Sequence, residues 1–372
     1  LGFVDIQAGA TGLANPQQRD TYREVYRIMS EAKIGCAIWG AGWVADEHLN
    51  AYMANPHCEV VAVGSRQEAS ASAAAARCGA PEATIYTDYS ELLKDDRIQL
   101  LSICTPNQLH VENGVQAAAA GKHIIMEKPM ALDLAGIKEL RDAMRETGVK
   151  SLVSFVLHWC PSLINARNLV QSGAIGDIFY VEGDYWHGVS DWYTGWEWCR
   201  KIATGGSSFL FAGCHAVDAV RWISGLEVTS VCSFAGGWDK RYEYPATVVG
   251  AVTWSNGAVG KISSSVDCVM PYQFNIDIMG DKGAVRDNLL WSKVLAPAAN
   301  NWTEIPAILP NSGDVAHHPF EGEIAHMVDC LRSGERPVPD IEDAVKTHEI
   351  CLAMDMSWQN GGARIDLPLL KD

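Results

Sequence analysis

From Lys33 onward the chain repeats one rhythm, a short apolar run followed by a longer stretch with helical spacing. Residues 34–39, 60–63, 100–104 and 123–126 are brief and nearly without polar alternation, as strands covered on both faces are. The stretches between and after them, through Tyr52 and Met53, over 68–77, 109–120 and 134–147, read as helices. Strands alternating with helices of this length predict βαβ units and a parallel sheet. After about Lys150 the pattern changes. A helix is predicted over 161–172 and a turn over 173–176, followed by longer, alternating segments at 178–185, 227–234, 247–254, 258–266 and 274–279. Ser255-Asn256-Gly257 is a good hairpin turn between two of them. These segments predict an open, mainly antiparallel sheet with one covered face, closed by helices over 321–331 and 342–358.

The expected fold class is therefore α/β: a parallel-sheet domain over 33–150, then an α+β domain over 151–372. Residues 1–32 precede them as an N-terminal extension, with a short helix predicted over 20–29. Residues 1–28 carry no strong pattern and are expected to be an upstream extension or an artificial remnant, so no function is built on them.

Composition narrows the function classes. Of 372 residues 48% are hydrophobic and 20% charged, enough apolar material for two globular domains and too much for a disordered chain. Acidic residues outnumber basic ones 45 to 29, and the net charge of −16 with scattered Lys and Arg argues against nucleic acid as a partner. No window approaches a membrane span, and the opening residues lack the basic region and apolar core of a signal peptide, so none is expected. The 11 cysteines include no C-x-x-C pair, so neither a disulfide framework nor a metal site is expected, and a reducing cytoplasm is the simplest location.

The strongest local signal is Gly40-Ala41-Gly42-Trp43-Val44-Ala45, directly after the first strand and opening the first helix. A dinucleotide pyrophosphate needs this arrangement: its charge sits at a helix N-terminus and the backbone must approach closely. Gly40 permits the turn, Gly42 the approach, and Ala45 takes the third glycine's packing place. The second strand ends in Val63-Gly64-Ser65-Arg66 with no carboxylate to hold an adenosine ribose. NAD and NADP both remain open as the cofactor. Arg66 either bonds a phosphate or stacks on adenine, or is a solvated loop residue.

Two further segments, S-I-C-T-P-N-Q-L-H over 102–110 and G-K-H-I-I-M-E-K-P over 121–129, closely resemble signatures of the glucose–fructose oxidoreductase, inositol dehydrogenase and rhizopine-catabolism (Gfo/Idh/MocA) family. The resemblance runs through nearly all the chain after Lys33. It implies a Rossmann domain followed by an α+β domain whose open sheet often joins subunits, hence a homo-oligomer. It also implies that the loop bearing Thr105, Pro106, Asn107 and His110 lines the nicotinamide ribose. Glu127 is expected to anchor backbone or ribose, and Pro129 to follow a cis bond that aims Lys128. The physical reading agrees: Thr105 and Pro106 end a parallel strand at the edge where open α/β sheets bind ligands, and Asn107 suits a helix N-cap.

Oxidising a secondary alcohol requires a hydride acceptor, a base and a cation for the developing alkoxide. Nicotinamide is the first, Lys128 the expected cation, and His215 the expected base, since a histidine ordinarily titrates near neutral pH. Many relatives carry an aspartate one helical turn before this histidine, whereas Phe211 stands there now. Asp218 either helps His215 instead or packs within its helix. Trp186 and Trp192, with Tyr185, Tyr193, Trp196 and Trp198, form an aromatic cluster that suits a loop over the cleft, core packing or a subunit contact. Trp186, Trp192, His317 and His318 join Asp218 as substrate-binding candidates; Lys201 and His158 are weaker ones. The expected activity is NAD(P)-dependent oxidation of a sugar, cyclitol or glycoside hydroxyl, with C3 of a glycoside one such position. The alternatives are a redox-neutral glycosidase or isomerising enzyme that recycles bound NAD, and a non-catalytic sugar or dinucleotide sensor.

Overall fold

The computed structural model describes residues 33–307 and 318–371. The helix expected over 20–29 and the candidate His317 lie outside them. The first sheet holds six parallel strands: β1 (Ile34–Trp39), β2 (Cys58–Gly64), β3 (Thr84–Tyr86), β4 (Leu100–Ile103), β5 (His123–Met126) and β6 (Ser151–Val153), in the order β3-β2-β1-β4-β5-β6. Helices α1 (Trp43–Ala54), α2 (Glu68–Arg77), α3 (Tyr89–Leu93), α4 (His110–Ala119) and α5 (Leu134–Thr147) connect the strands. β1 and β4 buried on both faces explain the unbroken apolar runs. The chain leaves β1 toward β2 on one side and β4 lies on the other, so a crevice opens at their carboxyl ends.

β6 pairs with β5 beyond residue 150, so the first sheet extends one strand past the boundary drawn from sequence. Three residues are too few to show a period. Among the described residues the second sheet has nine strands. Its centre is β7 (Ile178–Trp186), β8 (Val228–Gly236), β9 (Thr247–Trp254), β10 (Val259–Ser265) and β11 (Gln273–Gly280), with short strands at both edges. All pairings in it are antiparallel except β7 with β10. Gly257, at φ +87°, makes the predicted β9–β10 turn.

α6 (Pro161–Gln171), α7 (Cys214–Ser224) and α9 (Ile341–Gln359) cover one face of this sheet, and α8 (Phe320–Ser333) crosses back to pack on α1. α7 sits close enough that a Cβ at Gly183 of β7 would lie 2.6 Å from Val220. This close packing holds the start of α7, and with it His215, over the crevice of the first sheet. Among the described residues no helix is long and apolar enough to cross a membrane.

Candidate active site

A cleft of about 1090 Å³ runs along the carboxyl edge of the first sheet and under the start of α7. Its floor begins at the glycine turn. Gly40 has φ +101°, and a Cβ there would stand 2.6 Å from the Cys104 carbonyl oxygen, so only glycine fits. Gly42 precedes α1, and a Cβ there would meet no atom within 4 Å, which leaves open space before the helix N-terminus. Ala45 is fully buried against the sheet. Ala41, Trp43, Val44, Ser65 and Arg66 line the same cleft, and Arg66 makes no ion pair among the described residues.

The loop after β4 supplies Thr105, Pro106 and Asn107. Asn107 does not cap a helix as expected. It opens a single 3-10 turn with no side-chain cap, and its buried Nδ2 has no partner among the described residues. A buried amide donor left unpaired is costly, so this one points to a ligand acceptor. His110 lines the cleft but is tied to the backbone: its Nδ1 and Nε2 each lie 2.7 Å from a carbonyl oxygen, of Pro129 and Thr105 respectively. Both nitrogens of its imidazole therefore face the backbone rather than a cofactor. Glycine cradle, open helix terminus and orphaned amide together suit a nicotinamide dinucleotide.

Glu127 and Lys128 end β5, and the Lys128–Pro129 bond is cis as the resemblance implied. Behind them lies a buried polar cluster with no clear signature in the sequence. Glu127 Oε1 is 3.0 Å from His48 Nε2, His48 Nδ1 is 3.1 Å from Ser102 Oγ, and Tyr52 shares that hydroxyl at 2.6 Å. Burial acts to raise the Glu127 carboxyl, but His48 and Lys128 hold it below its usual range. Burial likewise opposes charge on His48, which Glu127 nonetheless raises above its usual value. Glu323 of α8 accepts from Ser154 at 2.9 Å, and burial pushes its carboxyl up to about 8, above the usual carboxylate range.

The Lys128 ammonium donates to the Phe211 carbonyl at 3.0 Å and stands 5.5 Å from the Phe211 ring centroid. Phe211 belongs to a π-helical turn, Phe209–Gly213, of the kind that often marks a functional site. His215 follows on α7 and lines the same cleft. Its ring stacks on Tyr185 (5.4 Å, 24°) and meets Phe155 edge-on (6.0 Å, 82°). Buried Nδ1 has no partner among the described residues. Burial, then the Lys128 charge and neighbouring histidines, push its pKa well below the usual value. Aromatic packing thus takes the orienting role that a carboxylate one turn earlier would have had.

Several expected substrate contacts fall elsewhere. Asp218 is in the core: its carboxylate is 2.6 Å from His158 Nε2 and accepts from Thr347 at 3.2 Å, so the helix-packing alternative holds. That same bond removes His158, whose ring also stacks on Trp222 at 4.4 Å. Trp186 is not among the lining residues. Side chains alternate along β7, so Tyr185 and His187 share the cleft side and Trp186 faces away. Trp192 does not line the cleft but stands at its mouth, 62% exposed, with its ring 6.3 Å from that of His187. Lys201 starts a short helical turn outside the lining. His318 does line the cleft, as do Tyr193 and Trp198 from the aromatic cluster. His187, Phe320 and Ser154 line it without having been singled out in the sequence. The period of two that puts His187 beside Tyr185 was the one available signal.

A family model described as "Oxidoreductase family, NAD-binding Rossmann fold" matches residues 34–155, and one described as "GFO/IDH/MocA C-terminal domain" matches 163–286. The scyllo-inositol 2-dehydrogenase (NAD(+)) of Bacillus subtilis is 25% identical over 89% of this chain and 96% of its own. The D-glucoside 3-dehydrogenase of Escherichia coli is 27% identical over 68% of this chain and 77% of its own. Among solved structures, the WlbA dehydrogenase from Bordetella pertussis, in complex with NADH and UDP-GlcNAcA, is 25% identical, with a TM-score of 0.76 over 91% of this chain and 99% of its own.

Proposed function

We propose that this chain, which belongs to the Gfo/Idh/MocA family of oxidoreductases, oxidises a secondary hydroxyl of a glycoside, sugar or cyclitol, or reduces the matching ketone. A bound nicotinamide dinucleotide would supply the hydride acceptor or donor. Gly40, Gly42 and the α1 N-terminus would hold its pyrophosphate, and Thr105, Asn107 and Glu127 its nicotinamide half. Lys128 grips the reacting oxygen and stabilises negative charge that develops there. His215 takes the hydroxyl proton, and the depressed pKa keeps its imidazole neutral and ready to accept. The observation that carries this reading is the convergence of Lys128 and His215 on one cleft with the glycine turn.

For the adenosine end we propose a preference for NADP. Ser65 and Arg66 end β2 where a ribose-binding carboxylate would stand, and Arg66 has no ionic partner among the described residues. A screen of glycosides, sugars and cyclitols, followed by nicotinamide absorbance with each dinucleotide, tests both points. Turnover is expected with NADP in preference to NAD, and Arg66→Ala should weaken NADP binding about tenfold while sparing NAD. Absence of turnover across the screen would reject the oxidoreductase reading, and an NAD preference unaffected by Arg66→Ala would reject the second.

The proposal extends to assembly and location. The sheet face turned away from the helices exposes Phe234 and Val249 as cross-strand partners, with Val259 exposed on the neighbouring strand, which supports a homo-oligomer formed through it and readable as solution mass. The cysteines are all free, which supports a reducing cytoplasm.

A further inference from the structure

The two walls of the cleft differ in chemistry. Charged residues lining it, among them Arg66, Arg77, Glu127 and Lys128, all come from the first domain. The opposite wall, from Tyr185 onward, contains no Asp, Glu, Asn, Gln, Lys or Arg among the described residues. Polyhydroxylated ligands are read by bidentate carboxylates, amides and guanidinium groups, and the described residues of that wall offer none. It offers rings instead. His187 joins them as a neutral group, since burial and then Lys128 push its pKa down to about 4.

The rings form a continuous track. Phe211 lies under Lys128, Trp198 meets Phe211 at 5.9 Å and 84°, and Tyr193 meets Phe211 at 6.1 Å. Trp192 then meets Tyr193 at 6.0 Å and carries the track out to solvent. Phe211 thus closes a gap in the apolar surface at the position where an aspartate would have interrupted it. An exposed tryptophan that continues a buried aromatic wall is a ready surface for a flat apolar group.

We infer that the substrate carries a flat apolar substituent, of the size of a phenyl aglycone, which lies along Phe211, Tyr193, Trp198 and Trp192 while its reacting hydroxyl sits at Lys128. The substrate class is then aryl or comparably apolar glycosides, not free sugars or cyclitols. This rests on the proposed alcohol oxidation at Lys128 and His215 and deepens it.

The test is calorimetric binding of phenyl β-glucoside and methyl β-glucoside to the dinucleotide-loaded protein, with turnover of each measured alongside. Phenyl glucoside is expected to bind about tenfold or more tightly than the methyl compound, from apolar area removed from water. Trp192→Ala, at an exposed position outside the buried core, should lower that ratio severalfold. Equal affinities, failure of the phenyl compound to bind, or a ratio untouched by Trp192→Ala would overturn the inference. Turnover of both glucosides at equal affinity would leave the alcohol-oxidation reading standing without it. A clear phenyl preference with no turnover would do the reverse.

Discussion

Lys128→Met is expected to lower kcat/KM by about a thousandfold, while dinucleotide affinity changes by no more than about twofold. Methionine keeps the length and apolar stem of the side chain and removes only the ammonium. That group is held in place from two directions: the Phe211 carbonyl accepts its proton at 3.0 Å, and the Phe211 ring lies 5.5 Å below it. A preorganised cation aimed at a developing alkoxide is worth more in the transition state than in the ground state, so the loss should fall on kcat more than on KM. Stopped or steady-state kinetics, with cofactor titration by fluorescence, separate the two. Lys128→Arg retains charge but not the compact ammonium, and should recover little of the rate. If Lys128 served only to tie β5 to the Phe209–Gly213 turn, Lys128→Met would lower the melting temperature and leave kcat near its original value. That outcome would remove Lys128 from the chemistry.

What the sequence could show of this site follows from how local each signal is. Gly40 and Gly42 sit in a turn whose requirements are met within a few residues, and Thr105 and Lys128 end strands recognisable from their own apolar runs. Such features need no knowledge of distant partners. Asp218 is different. From sequence it is one turn after His215 and faces the same problem; in the fold it is claimed by His158, sixty residues earlier, and by Thr347. His110 likewise lines the cleft, yet its nitrogens face the carbonyls of Thr105 and Pro129. Part of the aromatic cluster is legible locally: along β7 the period of two assigns Tyr185 and His187 to one side and Trp186 to the other. Trp192, Tyr193 and Trp198 lie beyond the strand, where no period applies.

The second sheet shows the same division. Its β9–β10 hairpin was visible in Ser255-Asn256-Gly257, because a tight turn has its own chemistry. The parallel pairing of β7 with β10 was not, because those strands are separated by α7 and two other strands. This non-local pairing matters for function: it sets β7 beside the start of α7, which places Tyr185 against His215.

His215→Asn is expected to lower kcat at pH 7 by about a hundredfold to a thousandfold, and to change the pH profile in a direction fixed by the site. Burial, Lys128 and the histidines His318, His187 and His158 all disfavour the imidazolium. The base is therefore unprotonated across the neutral range, and the original enzyme should lose activity on the acid side only well below pH 6.5, as protonation finally removes the acceptor. Raising the pH from there adds nothing to a base that is already free. Asparagine cannot accept the proton in the same way, so the residual rate must rely on solvent base and should climb with pH, narrowing the gap in alkaline solution. Dinucleotide affinity should be unchanged, since the ring packs on Tyr185 and Phe155 and not in the glycine turn. The measurement is kcat and kcat/KM against pH for both proteins. An acid limb centred at or above pH 6.5, or a His215→Asn profile parallel to the original, would assign the proton to another group. His187 is then the next residue to replace, since it lines the same cleft with its pKa likewise pushed down.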